Sequence, residues 1–199
     1  MVLSLTFHEF AHALVARWLG DDTAKRAGRL TLNPMVHIDP VGTLLLPAMG
    51  ALTGVPLIGW AKPCPVDPSR FRAKVDRRRG FALVAAAGPL SNLLLALISA
   101  AVIRFGGDAL AEHAGLALLF SAMLRMNVGL FVFNLLPIAP LDGSRLTPRS
   151  LDRYQRQIAP YSMFVLMGIV MIEPLRSFLI ARPVGFVVRC LATIFGLAA

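Results

Sequence analysis

Long apolar runs dominate this sequence and restrict its possible folds more than any other feature. Mostly apolar residues occupy positions 81–103, 115–139, 161–180 and 184–199. Each run approaches the roughly 20 residues that a helix needs to cross a hydrocarbon core of about 30 Å. A mean hydropathy of +0.67 and a charged fraction of only 16% also suit burial in lipid. We therefore expect an all-α polytopic membrane protein in which these runs cross the bilayer.

Residues 2–19 have the composition of a further helix. This segment consists mainly of apolar and small residues and is followed by Gly20, whose backbone freedom suits a helix C-terminus. At about 1.5 Å per residue, its length is marginal for a complete crossing. Together with the four apolar runs it predicts about five transmembrane helices, and Pro183 predicts a break between the last two.

The segment 41–60 is also apolar, but glycines and prolines interrupt it. In a straight helix facing lipid they would leave backbone groups unpaired. The pattern favours a re-entrant or hairpin element, and Asp39 just before it is typical of a capping or turn residue. An exposed strand edge in this element could pair with an unwound peptide, or the element could be a purely structural lid.

Basic residues lie between the apolar runs. Fifteen of the twenty Lys and Arg fall in three loops, at 17–29, 62–79 and 145–156. A formal charge of +9 would raise nucleic acid as a partner of a soluble protein. Here the placement follows the positive-inside pattern of membrane proteins. We expect the three loops to face the cytoplasm, with the lipid bilayer as a partner and no nucleic acid.

The first helix contains an HExxH motif, formed by residues 8–12. Positions i and i+4 lie one above the other on a helix face, where His8 and His12 could hold one Zn²⁺. Glu9 lies beside them on the same turn, from which its carboxylate can take a proton from a water without binding the metal. The alternatives are a chance match or a pair of histidines that pack between helices.

A catalytic zinc site needs a third protein ligand and an open fourth position. The best candidate is Asp142, which lies in the stretch NLLPIAPLDG at residues 134–143. The prolines of this stretch are expected to end the preceding helix. On its own, the pair Asp142-Gly143 is more typical of a turn.

In combination, these motifs resemble the site-2 protease family of intramembrane zinc metalloproteases, whose members join HExxH in one membrane helix to a distant N-x-x-P-x-x-P-x-D-G motif. The resemblance is to the compact form, without a PDZ or CBS domain, and covers most of residues 1–145. It extends to the stretches GRLTLNP at 28–34, HIDPVGT at 37–43, GWAKP at 59–63 and AGPLSN at 87–92.

The resemblance implies one Zn²⁺ per chain, held by His8, His12 and Asp142, with Glu9 as the general base. It also implies that Asn92 and Asn134 help beside the metal, by holding an unwound substrate strand or by donating to the oxyanion. Either asparagine could instead make a hydrogen bond between helices, as amides in membranes commonly do.

The implied fold is a single membrane-embedded protease domain, 1–199, with a core at 1–145 and a C-terminal helical hairpin at 158–199. Three helices would carry the site, at 1–19, 81–103 and 115–140. Such a protein would reside in a bacterial-type inner or cell membrane, with its active site towards the cytoplasmic side.

The activity implied by the resemblance is hydrolysis of peptide bonds in or near transmembrane segments of membrane-protein substrates. A metal-binding membrane transporter or a non-catalytic membrane scaffold would also place histidines and carboxylates in membrane helices. Neither alternative requires Glu9 between the two histidines. The oligomeric state is left open by the sequence.

Overall fold

The computed structural model of the chain describes residues 1–54, 59–107, 110 and 112–197, and these ranges contain helices and connecting segments but no strand. The all-α fold is confirmed. The helices are α1 (Val2–Leu19), α2 (Thr23–Arg26), α3 (Pro40–Thr53), α4 (Arg77–Phe105), α5 (Ala114–Asn134), α6 (Gly143–Leu146), α7 (Asp152–Ile158), α8 (Ser162–Met171) and α9 (Glu173–Phe195). Short 3₁₀ turns lie at Pro34–Val36, Pro68–Arg70, Arg149–Leu151 and Ala159–Tyr161.

Among the described residues, three helices are long and apolar enough to cross a membrane, namely α4, α5 and α9. The expected number of about five is therefore not confirmed. Helix α1 forms over the predicted residues and ends at Gly20, which has a φ of 112°. Polar side chains at positions 8, 9, 12 and 17 interrupt its apolar sequence.

The C-terminal region differs from the two predicted spans. The chain turns at Ile172, where ψ is 109°, so α8 has only 10 residues, whereas α9 has 23. The break expected at Pro183 is wrong. A π-type segment at Ser177–Ala181 ends two residues before that proline, and its wider turn gives room to a residue that lacks an N–H. Residues 198–199 of the expected hairpin lie outside the described residues.

The segment expected to re-enter the membrane is helical over α3. The Asp39 carboxylate accepts hydrogen bonds from the N–H groups of Val41 and Gly42, and so caps this helix. The Trp60 N–H donates to the Gly42 carbonyl at 3.1 Å, which holds the two ends of the segment together as a hairpin requires. No strand edge forms at 40–53, and residues 55–58 lie outside the described ranges. Entry of this element into a membrane stays a prediction.

Helix α4 lies at the centre of the fold, between α1 and α5. Small side chains allow the helices to approach closely, because no bulky group separates their backbones. Ala96 and Ala100 of α4 are fully buried against Leu124 and Val128 of α5 and Leu191 of α9. On its other side α4 packs along α1, and this contact places the HExxH motif at an interface between helices.

Candidate metal centre

His8 and His12 of α1 point towards α4 and are almost completely buried. They lie one helical turn apart, so their rings stack edge to face with centroids 4.6 Å apart. The two Nε2 atoms are 3.0 Å from each other. The helix thus presents two imidazole nitrogens to one point, as the i, i+4 spacing predicts.

Asp142 reaches the same point from a distant part of the chain. Its Oδ2 lies 3.1 Å from His8 Nε2 and 3.4 Å from His12 Nε2. The expectation that a helix running to residue 139 or 140 delivers this aspartate is wrong, because α5 ends at Asn134 and an irregular stretch with Pro137 and Pro140 follows.

The pair Asp142-Gly143 is both a turn and part of the site. A Cβ at position 143 would collide with the Leu135 carbonyl, so only glycine fits the close return of the chain. The pair can therefore form a turn while Asp142 also serves as a candidate metal ligand.

The hydrogen bonds of the ring Nδ1 atoms fix where each imidazole has its lone pair. His12 Nδ1 lies 2.7 Å from the Val84 carbonyl, which can only accept, so a proton is on Nδ1 and the lone pair of the neutral ring is on Nε2. His8 Nδ1 lies 2.7 Å from Asn92 Oδ1, which gives the same arrangement. Two Nε2 lone pairs and a carboxylate oxygen therefore face one another.

This cluster of acceptors requires a positive charge. Among the described residues, the buried Asp142 Oδ2 has no other hydrogen-bond donor. A proton on either Nε2 can meet the need. Burial by itself would raise the pKa of the Asp142 carboxyl, but its hydrogen bonds with His12 and His8 outweigh burial and lower the pKa to about 2. An ionised carboxylate and two imidazoles are also the ligand types that bind Zn²⁺ at catalytic sites.

Gly88 of α4 provides the room for this centre. A Cβ at this position would lie 2.5 Å from His12 Cε1 and 2.6 Å from His8 Cε1. Any side chain here would enter the space in which the imidazoles converge. The donor set, the acceptor that lacks another donor and the clearance at Gly88 together fit a zinc ion held by His8, His12 and Asp142.

Glu9 is buried beside the two histidines, within 4.8 Å of their ligand atoms. Its Oε2 accepts a 2.7 Å hydrogen bond from the backbone N–H of Cys64, in the loop between α3 and α4. Burial, followed by the nearby Glu9 charge, raises the pKa of the Cys64 thiol to about 12. The loop thus contributes a backbone donor that fixes Glu9, and its thiol stays protonated.

The two predicted asparagines occupy different environments. Asn92 is fully buried, with its Oδ1 on His8 and its Nδ2 within 3.3 Å of the Ser4 carbonyl and 3.1 Å of Asn127 Oδ1. Asn134 lines the cavity beside the metal centre, and its Nδ2 donates to the Leu130 carbonyl of its own helix. Sequence reasoning missed Asn127, although an amide inside an apolar run is itself a signal.

A cavity of about 440 Å³ opens beside the centre. His8, Glu9, His12 and Asp142 are among its lining residues. Its walls come from α1, α4, α5, the loop before α4, and α8, which contributes Met163 and Leu166. The cavity therefore leaves room for a ligand beside these four residues, as catalysis by a bound metal requires.

Curated proteins match this chain over most of its length. It is 41% identical over 189 residues to "Putative zinc metalloprotease YwhC" of Bacillus subtilis, and the matched region covers 90% of this chain and 81% of YwhC. It is 35% identical over 173 residues to "Putative zinc metalloprotease Rip2" of Mycobacterium tuberculosis, covering 86% of this chain and 63% of that protein.

A protein of the same name from Mycolicibacterium smegmatis is 32% identical over 177 residues, which are 87% of this chain and 65% of that protein. The chain thus spans most of YwhC and less than two thirds of these Rip2 proteins. No family model and no solved structure matches the chain.

Proposed function

The chain belongs to the site-2 protease family of zinc metalloproteases, and from this we propose that it hydrolyses peptide bonds in or near transmembrane segments of membrane proteins. The observation that carries the proposal is the convergence of His8 Nε2, His12 Nε2 and Asp142 Oδ2 beside the Glu9 carboxylate. Zinc is the cofactor named for the relatives, and it suits this donor set.

Zinc, when bound, supplies Lewis acidity towards a water and the scissile carbonyl. We assign to Glu9 the transfer of protons: it accepts one from the attacking water and later gives it to the leaving amine. The hydrogen bond from the Cys64 N–H fixes one carboxylate oxygen of Glu9, which limits rotation of the carboxylate while it exchanges protons. Asp142 and the histidines act as ligands in this assignment.

The asparagines receive separate roles. The amide of Asn92 is occupied by His8 and by two further partners, so we assign it to orienting that ligand. Asn134 faces the cavity and remains available to a peptide, and we assign it to holding an unwound substrate strand or to the oxyanion.

We further propose that the protein resides in a bacterial-type cell membrane with the site towards the cytoplasm. Three apolar helices support membrane insertion, and the basic loops at 17–29, 62–79 and 145–156 support this orientation. Labelling of single cysteines placed in these loops, in intact cells and in inverted vesicles, tests it. Finding the loops 17–29 and 62–79 on opposite faces would refute the orientation and the re-entrant element together.

The decisive test of the activity is Glu9→Gln, which preserves size but removes basicity. We expect the variant to keep its zinc and to lose proteolysis by about 10² to 10⁴ in rate, since general-base catalysis is typically worth that much. The exposed Glu112→Gln serves as the matched control. Substrates trapped by the Glu9→Gln variant in native membranes are identified, and the cleavage site in each is mapped by mass spectrometry.

Wild-type rates in the Glu9→Gln variant would remove Glu9 from the mechanism. Cleavage only in soluble loops, far from any transmembrane segment, would contradict the intramembrane proposal. Zinc flux into proteoliposomes without proteolysis would indicate the transporter alternative instead.

A further inference from the structure

A chain of buried amides connects α5 to the metal centre. Asn127 and Asn92 are both fully buried. Asn127 Nδ2 lies 2.9 Å from the Met123 carbonyl, Asn127 Oδ1 lies 3.1 Å from Asn92 Nδ2, and Asn92 Oδ1 lies 2.7 Å from His8 Nδ1. Each link is a hydrogen bond, and the last one ends on a metal ligand.

Backbone carbonyls fix the direction of every hydrogen bond in this chain. The Met123 carbonyl can only accept, so the amide of Asn127 must turn its NH₂ towards it and its oxygen towards Asn92. That oxygen, together with the Ser4 carbonyl, requires the NH₂ of Asn92. The Asn92 oxygen is left for His8, and it can only accept a proton that His8 carries on Nδ1.

We propose that Asn127 is a positioning residue for the metal centre: through Asn92 it holds His8 as the Nδ1–H tautomer with the Nε2 lone pair directed at the metal. The inference rests on the proposed zinc site. It extends that site to a residue on α5 that is not among those lining the cavity and that is hydrogen-bonded to Asn92.

The alternative is that the two amides merely join α4 to α5, as polar side chains in membrane proteins often do. The two roles differ in what they predict for zinc. A partner that orients a metal-binding histidine typically affects metal affinity by about 10- to 100-fold when it is lost. A bond that only joins two helices affects stability and leaves the tautomer of His8 unchanged.

The test compares substitutions at Asn127 in the purified full chain, with Zn²⁺ as the probe and a competing chelator to set its free concentration. Asn127→Leu removes the acceptor that faces Asn92, and we expect zinc to bind about 10- to 100-fold more weakly. Asn127→Asp retains an acceptor towards Asn92, although its second oxygen faces the Met123 carbonyl, so it should weaken zinc binding less than Asn127→Leu does. If the leucine variant does not fold, Asn127→Ala takes its place.

Ser99→Ala is the matched control for zinc affinity. Ser99 is buried on α4, and its hydroxyl donates to the carbonyl four residues earlier, as the amide of Asn127 does, but Ser99 is not among the residues that line the cavity. We expect this variant to bind zinc as the wild type does. Equal weakening in both variants would attribute the effect to loss of a buried polar group and would overturn the inference.

Two further measurements separate orientation from packing. In the metal-free protein near pH 9, ¹⁵N shifts of the ring should report Nδ1–H for His8 in the wild type and a mixture of tautomers in Asn127→Leu. In an Asn92→Asp background both carboxylate oxygens are acceptors, so His8 Nδ1–H finds an acceptor whichever way the side chain at position 92 is turned. Adding Asn127→Leu there removes an acceptor that faces a carboxylate oxygen, so it should not weaken zinc binding further.

An Asn127→Leu variant with wild-type zinc affinity and an unchanged His8 tautomer would refute the inference. So would a loss of affinity in the Asn92→Asp background as large as in the wild type. Failure of the wild-type chain to bind zinc through its histidines would instead refute the proposed site itself, so the two failures can be distinguished.

Discussion

Gly88→Ala should disable the metal centre by adding a single methyl group. The new Cβ would lie 2.5 Å from His12 Cε1 and 2.6 Å from His8 Cε1. Carbon atoms in contact normally lie about 3.5–4.0 Å apart, so the rings must retreat by about 1 Å. Metal–ligand distances tolerate about 0.2 Å, and the displacement is therefore several times larger than the site can accept.

The rings cannot retreat freely, because both are tied to α4. His12 Nδ1 donates a hydrogen bond to the Val84 carbonyl and His8 Nδ1 donates one to Asn92 Oδ1, each 2.7 Å long. Losing a buried hydrogen bond costs about 1–3 kcal/mol, so losing both costs about 2–6 kcal/mol. This cost falls on the fold with or without metal and should appear as lost stability. Zinc binding should weaken by at least about 10- to 100-fold, the loss typical when the partner that orients a metal-binding histidine is lost.

Zinc affinity of the purified protein, measured by chelator competition, checks this prediction. Gly129→Ala is the matched control, because its Cβ would meet open space on α5. Both substitutions favour the helix by roughly 0.5–1 kcal/mol, so helix propensity cannot explain a loss confined to Gly88. Wild-type zinc binding in Gly88→Ala would show that α1 does not pack on α4 at the distance described.

Three further predictions concern other parts of the chain. Asp142→Ala should lose most bound zinc by elemental analysis, since it removes one of the three proposed ligands; an unchanged zinc content would show that Asp142 serves only as a turn residue. A hydrogen bond from Arg78 lowers the pKa of Asp152, so this contact stabilises the fold above about pH 4 and is lost as the pH falls further. Thermal unfolding should accordingly depend less on acid pH in Asp152→Asn than in wild type, and equal pH profiles would contradict this. The pKa of the Cys64 thiol is about 12, so a fraction of only about 10⁻⁴ should be thiolate at pH 8. In a Cys190→Ser background, Cys64 should therefore be alkylated slowly until the protein is denatured; rapid alkylation of the folded protein would show that Cys64 is not buried.

Local patterns predicted much of the fold. Residues 2–19 form a helix that ends at Gly20, and the apolar runs 81–103 and 115–139 lie largely within α4 and α5. Local patterns failed at the ends of helices. The helix leading to Asp142 stops at Asn134, and Pro183 continues a helix, because the neighbouring backbone, and not the proline alone, decides whether a turn can absorb it.

The sequence by itself determined the chemistry of the first two proposed ligands. The spacing of His8 and His12 fixes both rings on one helix face, since neighbours four residues apart on a helix lie together whatever surrounds them. The same holds for Glu9 on the adjacent part of the turn. These relations are local and need no knowledge of packing.

Only the tertiary structure decided how those ligands are completed and oriented. Distant segments of the chain complete the surroundings of His8 and His12. The partners of the two Nδ1 atoms, the Val84 carbonyl and Asn92, lie 72 and 84 residues away in the sequence. Asp142 and Gly88 also belong to distant segments. Such contacts depend on how closely α1 and α4 pack and on how α5 is placed beside them. Small buried side chains set those distances across helices, and no periodicity within one helix encodes them.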